Sequence, residues 1–208
     1  EKALDSMLST VRTAELEEYK PKENWYVLMA ACYSELSSRI GKEEALYKQL
    51  DIYEILVNLY PKKMYFIQLG GIYGQLNREL DYMITLNAAY QKDLLDKESE
   101  YLALTQLLLL NSNPYWAARV LEAGRIKKVP VIDEKTKEEK ILPVVKDNEK
   151  NLKLLADAWR MAQEIELAIP IMEKAARLAK DGQTFIILGS LYLSEDKLEE
   201  AVDAIEQG

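Results

Sequence analysis

One helix-forming pattern occurs twice near the end of the chain, and this repetition restricts the possible folds more than any other feature. Positions 152–175 read Leu-x2-Leu-Ala-x2-Trp, then Ala-x3-Met-x2-Ala; positions 185–205 read Phe-x2-Leu-Gly-x2-Tyr, then Ala-x3-Ile. The copies are about 33 residues apart, the length of a pair of short helices. Such a pair cannot bury its apolar face alone, so neighbouring pairs must stack. The pattern predicts an all-α solenoid of antiparallel helix pairs.

The pattern recurs with departures in the first half of the chain. Positions 66–73 read Phe-x2-Leu-Gly-x2-Tyr, and positions 101–108 read Tyr-x2-Leu-Thr-x2-Leu. Tyr82 takes a place where the pattern has alanine and two helices approach closely, so we expect its ring to separate them or to be turned aside. The predicted organisation is a single array, with a helix of a partial repeat at 1–20, repeat units at 22–61, 63–95, 98–125, 149–180 and 182–208, and an insertion at 126–147.

Prolines mark several predicted helix boundaries. We expect Pro21 and Pro61 to end helices, because proline cannot continue one. Pro114 falls near the start of a helix, where its missing N–H has no helical partner. The connection at 37–41 makes the unit at 22–61 longer than the others.

The insertion combines two β-branched runs with a charged centre. It reads Val-Pro-Val-Ile at 129–132, a charged run at 133–140, and Ile-Leu-Pro-Val-Val at 141–145. This composition predicts a small hairpin, with Pro130 and Pro143 restricting strand pairing to edges; a flexible loop is the alternative. We expect the segment 129–145 to project and to be removable without loss of folding.

Composition and charge exclude several classes of partner. The 208 residues are 49% hydrophobic and 30% charged, which is typical of a folded chain. A net charge of −8 disfavours binding to nucleic acid and to anionic membranes, where basic side chains supply the affinity. No apolar run reaches the roughly 18 residues of a membrane span, so no membrane insertion is predicted.

Residue types that commonly carry catalysis are scarce. The chain has no histidine and one cysteine, Cys32, whose helical spacing predicts a buried, unreactive thiol. Paired carboxylates at 43–44, 138–139 and 199–200 are interpreted as surface charge. The sequence therefore predicts no enzymatic activity, no catalytic residues, no cofactor and no metal site. Most of the aromatic residues that can be placed in the pattern are assigned to packing positions, including Tyr33, Phe66, Tyr73, Trp159, Phe185 and Tyr192.

The repeated pattern resembles the tetratricopeptide repeat (TPR). This resemblance covers nearly the whole chain and implies a right-handed superhelix that acts as a non-enzymatic scaffold for protein–protein interaction. Several runs are also similar to bacterial TPR proteins that accompany TonB energy-transduction systems: 60–69, 88–90, 113–122, 150–159 and 168–170. That second resemblance implies a periplasmic protein of Gram-negative bacteria that supports TonB-dependent uptake. The insertion is a departure from that group.

The repeat register also predicts a ligand-binding face. The first helix of each unit lines the concave side of a TPR array, and its non-core residues face the ligand. These are Asn24, Val27, Leu28, Ile67, Gln68, Gln106, Lys153, Leu154, Asp157, Arg160 and Ile187. On this predicted face basic side chains occur in one repeat unit only, which disfavours the carboxylate-clamp type of chaperone binding. We expect a protein or peptide segment of apolar or amphipathic character as the partner.

Several alternatives remain open at this stage. A cytoplasmic adaptor or co-chaperone, or a recruitment domain of a larger enzyme, fits the same repeats. Self-association through an unmatched end of the array is a further possibility. The chain begins with Glu1 and not with methionine, so we interpret it as a fragment whose signal peptide, if there is one, lies outside it.

Overall fold

The structure, a computed structural model, describes residues 2–132, 137–180 and 182–208. The chain packs as two compact units, residues 1–95 (unit 1) and 96–208 (unit 2). The single array expected from the sequence stays a prediction. The described part of unit 1 contains α1 (Lys2–Leu16), α2 (Glu23–Ile40), α3 (Lys42–Leu59), α4 (Lys63–Gln75) and α5 (Glu79–Gln91). The described part of unit 2 contains α6 (Glu98–Leu110), α7 (Pro114–Ile126), β1 (Lys128–Ile132), β2 (Glu139–Pro143), α8 (Glu149–Met161), α9 (Ile165–Leu178), α10 (Gln183–Ser194) and α11 (Leu198–Gln207).

Consecutive helices pack as pairs within each unit. In unit 1, α2 packs on α3 and α4 on α5; in unit 2 the pairs are α6–α7, α8–α9 and α10–α11. The predicted all-α architecture of helix pairs is confirmed. The first pair is the long one, as predicted, with 18 residues in each helix. Pro61 follows the end of α3, and Pro114 is the first residue of α7.

The pattern residues of α8 and α9 form a core that excludes solvent. All seven are at most 1% exposed: Leu152, Leu155, Ala156, Trp159, Ala168, Met172 and Ala175. Alanine at 156 and 168 lets the two helices approach closely, while the indole of Trp159 fills the remaining space. Burial of a side chain of this size stabilises the fold by roughly 1.5–3 kcal/mol.

Glycine accommodates the ring of Tyr82. A Cβ atom added to Gly70 would lie 2.7 Å from that ring, and one added to Gly74 would lie 3.5 Å from it. The absent side chains of α4 thus leave the space that the ring of α5 occupies. The sequence pattern predicts that the ring separates the helices or is turned aside; in the structure, glycine at 70 and 74 makes room for it instead.

A left-handed residue follows six of the described helices. The residues are Glu18, Asn77, Asp93, Ser112, Gln163 and Asp196, with φ between 56° and 65°. The next N–H donates to a carbonyl five residues earlier, as Glu164 does to Trp159 at 2.9 Å, which is the Schellman arrangement. Tyr19 makes this bond to Ala14, so α1 ends at Leu16. The prediction that Pro21 ends the first helix is therefore wrong.

The insertion contains the predicted hairpin. Strands β1 and β2 pair antiparallel, with Lys128 opposite Pro143 and Ile132 opposite Glu139. The side chains of both strands are exposed except that of Val129, which is half-buried. Of the charged run at 133–140, residues 133–136 lie outside the described residues, and Glu139 and Lys140 begin β2.

The residues that follow β2 belong to the core of unit 2. Val144 is 5% exposed and Val145 is inaccessible to solvent. The Val145 N–H donates to the Gly124 carbonyl at 2.9 Å, and a Cβ added to Gly124 would lie 2.6 Å from the Val145 side chain. The expectation that the whole segment 129–145 is removable is therefore wrong at its last two residues, because they pack against α7.

Polar contacts fix the return of the chain into α8. Asp147 accepts hydrogen bonds from Arg125 Nε at 2.6 Å and from Lys174 Nζ at 2.9 Å. The bond from Arg125, strengthened by Lys174, lowers the pKa of Asp147 to about 2. Glu98 accepts from the Lys146 N–H at 2.9 Å and from the Asn151 side chain at 2.8 Å. These contacts join α6, α7 and α9 to one short segment.

Candidate functional site

A pocket of about 460 Å³ opens between α8 and α10 in unit 2. Positions three and four residues apart share one face of a helix, so the unburied face of each helix contributes a row of side chains. We call this pocket the α8–α10 groove. Its lining residues are Asp157, Arg160, Gln163, Ile165, Ile187, Ser190, Leu191 and Ser194.

Hydrogen bonds at the start of α8 and α10 hold the two walls of the groove in place. The Asn148 side chain caps α8 by accepting from the Asn151 N–H at 2.9 Å. Thr184, in the first turn of α10, donates to Glu149 in the first turn of α8 at 3.0 Å. Thr184 is inaccessible to solvent, so this bond is shielded from water. The two helices are therefore joined to each other at their first turns.

Aromatic residues anchor both walls to the helices behind them. Trp159 Nε1 donates to Glu122 on α7 at 3.2 Å, and the indole makes an edge contact with Tyr115 at 5.5 Å between ring centres. The Tyr192 hydroxyl donates to Glu173 on α9 at 2.6 Å. These contacts leave the opposite faces of α8 and α10 available to line the groove.

The charged groups of the groove form one ion pair. Arg160 Nε lies 3.3 Å from Asp157 Oδ1, and the side chains are 49% and 37% exposed. A pair this exposed contributes at most about 1 kcal/mol to stability. It leaves the groove without net charge. The guanidinium keeps further N–H groups that can bind a ligand.

The structure brings three of the predicted residues of unit 2 together in the groove. Asp157, Arg160 and Ile187 line it, whereas Lys153 and Leu154 are half-buried one turn earlier on α8. Gln106 is exposed on α6.

The predicted residues of unit 1 lie on two helices, α2 and α4. Asn24, Leu28 and Gln68 are exposed, and Ile67 is half-buried. Val27 is half-buried against the core of the unit, so part of its surface supports packing. The ligand-binding role of these five residues stays a prediction.

Sequence reasoning missed four of the lining residues. Leu191 and Ser194 continue the row of Ile187 by one and two turns, and helical spacing alone could have included them. Gln163 and Ile165 lie at the connection between α8 and α9, and no periodic signal marks a residue there. Ser190 has the spacing expected of the inward face and does line the groove.

Other features singled out by sequence have structural roles. Cys32, predicted to be buried, is half-buried against the core of unit 1. The pairs at 43–44 and 199–200 are exposed in the first turns of α3 and α11, where carboxylates favour the helix dipole. Among the described residues no group of acidic or cysteine side chains is arranged to hold a metal ion. No helix in the described ranges has the length and apolar character needed to cross a membrane.

Solved structures with the same arrangement of helix pairs establish the fold. YrrB, described as a TPR protein with an unusual peptide-binding site, superimposes with a TM-score of 0.58 over 94% of this chain and 89% of its own, at 13% identity. The chain has a TPR fold. A crystal structure of MamA gives 0.55 over 86% and 88% at 14% identity. MamA from Desulfovibrio magneticus RS-1 gives 0.51 over 86% and 92% at 16% identity. No family model and no curated protein matches the sequence.

Proposed function

We propose that the chain is a protein-binding scaffold that holds a peptide segment of its partner in the α8–α10 groove. The observation that carries this proposal is the meeting of Asp157, Arg160 and Ile187 in one pocket. The TPR fold supports the scaffold role, and YrrB is a protein of this fold whose description names a peptide-binding site.

The lining of the groove defines the character of the segment. The half-buried Ile165 and Ile187 offer apolar contact, while Gln163 and the two serines offer hydrogen bonds to a peptide backbone. The ion pair gives little long-range attraction, so it orients a ligand more than it attracts one. An amphipathic segment fits this surface, with an affinity that depends weakly on salt.

The test begins with selection of binding peptides from a random peptide library on the purified protein. The dissociation constant of a selected peptide is then measured by calorimetry for wild type, Ile187→Asp and the control Val202→Asp. Val202 is 54% exposed on α11 and does not line the groove. We expect Ile187→Asp to weaken binding about tenfold or more and the control to leave it unchanged. Equal binding by all three proteins would place the site elsewhere.

Further ligand-binding residues are proposed from the repeat register, one in each unit. Gln68 is exposed on α4, and Leu154 is half-buried next to the groove. Replacing both with charged residues is expected to abolish capture of a full-length partner without changing the melting curve. If the selected peptide still binds this double variant as wild type does, the groove alone is the binding site.

We also propose that the chain catalyses no reaction itself. The support is the absence of histidine and the repeat composition of the sequence. If the full-length gene product has a substrate and the purified chain alone also converts it, this proposal is refuted. Turnover by that product alone would support the alternative of a recruitment domain in a larger enzyme.

The cellular setting we propose is the periplasm, in support of TonB-dependent uptake. Its support is the similarity of the sequence runs given above. Fractionation of cells that carry the full-length gene product tests the compartment, and growth of a deletion strain on a nutrient taken up through TonB tests the role. A cytoplasmic location would favour the adaptor or co-chaperone alternative.

A further inference from the structure

The hairpin of unit 2 exposes apolar residues on both strands. Ile132 of β1 is 67% exposed and Ile141 of β2 is 70% exposed. A short, two-stranded hairpin gains little stability from such exposed side chains by itself. Its backbone edges, in contrast, are able to pair with a further strand.

The phase of hydrogen bonding shows which backbone groups point outward. The Val144 N–H donates to the Lys127 carbonyl at 2.9 Å, so this opposed pair is a hydrogen-bonded one. Hydrogen-bonded and non-hydrogen-bonded pairs alternate along an antiparallel ladder. Pro130 and Ile141 therefore form a non-hydrogen-bonded pair whose backbone groups point away from the partner strand. The missing N–H of Pro130 agrees with this phase.

Only one edge of the hairpin presents a suitable row of backbone groups. The outer edge of β1 is interrupted at its centre, because Pro130 has no N–H to donate. The outer edge of β2 presents the N–H and C=O groups of Glu139 and Ile141, and proline occurs only at its end, at Pro143. The hairpin therefore has one blocked edge and one open edge.

We propose that β2 pairs antiparallel with β2 of a second copy of the chain, around a two-fold axis at Ile141. In this register Ile141 faces its own counterpart, Glu139 faces Pro143, and Lys140 faces Leu142. Moving the axis to Lys140 places two lysines opposite each other, which is unfavourable. The strand is thus self-complementary in the Ile141 register, and the two hairpins form a four-stranded sheet.

The blocked edge limits the size of this assembly. After two copies pair through β2, the outer strands are both β1, and Pro130 interrupts each of them. The assembly therefore closes as a dimer and does not extend into a fibre. Five-residue edges bury less than the roughly 1,200 Å² of a stable interface, so the dimer forms at high protein concentration. Two copies would present two binding grooves to a partner with repeated segments.

Sedimentation equilibrium over a wide concentration range tests the proposal with the purified 208-residue chain. Ile141→Pro removes an outward N–H and leaves the ladder with β1 intact, whereas Ile141→Thr keeps that N–H. We expect a reversible dimer in wild type, a dissociation constant about tenfold or more higher for Ile141→Pro, and dimerisation retained in Ile141→Thr. A chain that stays monomeric at all concentrations would overturn the proposal. This holds also if its β2 strand pairs with a different protein.

Cysteine crosslinking gives an independent readout of the two-fold axis. In a Cys32→Ser background, Ile141→Cys places two thiols opposite each other, with Cα atoms about 5.5 Å apart. Ile132→Cys is the matched control, because Ile132 is similarly exposed but lies on the outer strand. We expect an oxidised dimer with Cys at 141 and little with Cys at 132. Equal crosslinking at both positions, or a dimer unaffected by Ile141→Pro, would show that the interface lies elsewhere.

Discussion

The Tyr73 hydroxyl donates a 2.5 Å hydrogen bond to Glu54, and Tyr192 donates an equivalent 2.6 Å bond to Glu173. In both cases the acceptor is 19 residues earlier, on the second helix of the preceding pair. Trp159 uses its indole N–H in the same way on Glu122. The aromatic residue of the repeat pattern therefore joins one helix pair to the previous one, and in two of the three cases, Tyr73 and Trp159, it is also buried in the core.

Replacing Tyr192 with phenylalanine tests this contact through pH. Burial, together with the bond to Glu173, raises the pKa of Tyr192 to about 12 from its ordinary 10.0. The neutral hydroxyl therefore contributes stability that is fully present below pH 10 and is lost as pH rises towards 12. We expect Tyr192→Phe to cost about 1–2 kcal/mol at neutral pH, and less as pH rises through this window.

Urea unfolding of wild type and variant at several pH values measures that difference. Tyr47→Phe is the control, because Tyr47 is 45% exposed on α3. A free-energy difference between wild type and Tyr192→Phe that stays constant up to pH 12 would contradict the assigned bond.

Trp159 is expected to be the most costly single side chain to remove from unit 2. It is 1% exposed, makes the edge contact with Tyr115 and donates to Glu122. Truncation to alanine leaves a cavity and removes one hydrogen bond from Glu122, which keeps its ion pair with Arg119; the cost should be about 3–5 kcal/mol. Trp116→Ala, at a side chain 56% exposed, should cost less than about 1 kcal/mol. Thermal melts that fail to separate the two variants would exclude this packing.

Gly70 leaves the space that the ring of Tyr82 fills, so a larger residue at position 70 should be compensated by a smaller one at position 82. Gly70→Ala introduces a methyl group 2.7 Å from the ring and should cost about 1–3 kcal/mol. Adding Tyr82→Ala, the residue typical of the repeat, should recover part of the loss. Gly71→Ala is the control: nothing lies within 4 Å of its added Cβ, so it should stabilise α4 by up to about 1 kcal/mol. If the effects of the substitutions at 70 and 82 on the free energy of unfolding are additive, the two residues do not compensate each other in size.

Asp147 predicts a change in stability at acid pH. Its pKa is lowered to about 2 from 3.8 by Arg125 and Lys174, so its contribution is present above pH 3.8 and lost as pH falls towards 2. The side chain is 38% exposed, and after allowance for solvent screening we expect Asp147→Asn to cost about 1 kcal/mol at neutral pH. The free energies of unfolding of wild type and variant, measured by denaturant titration, should become equal near pH 2. Glu206→Gln, on the exposed end of α11, should follow wild type throughout.

The hairpin is expected to be dispensable for folding, but the two residues that follow it, Val144 and Val145, are not. Replacing residues 128–143 with a short linker keeps Val144 and Val145 and should leave helical signal and cooperative melting nearly unchanged. Extending the deletion through 145 removes an inaccessible side chain packed on Gly124 and should cost about 2–4 kcal/mol. Equal melting of the two deletion variants would mean that Val145 contributes nothing to the core.

Periodicity predicted the helices of this chain well, because burial repeats every three to four residues. Leu152, Leu155 and Trp159 illustrate this, since each is predicted and found in the core. Contacts between residues distant in sequence carry no such period. The pairing of Tyr192 with Glu173 and the docking of Val145 on Gly124 depend on how helices meet, which one sequence does not encode locally.

The helix ends and the groove show where local reasoning was incomplete. The left-handed residues at Gln163 and Glu18 are not glycine, so the usual composition signal for a helix end was missing. Gln163 also lines the groove, together with Ile165 in the next helix. A binding residue in a connection can be assigned only when the angle between two helices is known.

The Schellman bonds at the helix ends have a consequence for the rate of folding. Each bond joins groups only five residues apart, as from Lys197 to Tyr192, so helix limits are defined before distant segments meet. Helix pairs and the hairpin also use neighbouring stretches of chain. Chains dominated by contacts of short sequence separation fold in roughly microseconds to milliseconds. We therefore expect docking of adjacent helix pairs, and not formation of the helices, to limit the speed at which each unit folds.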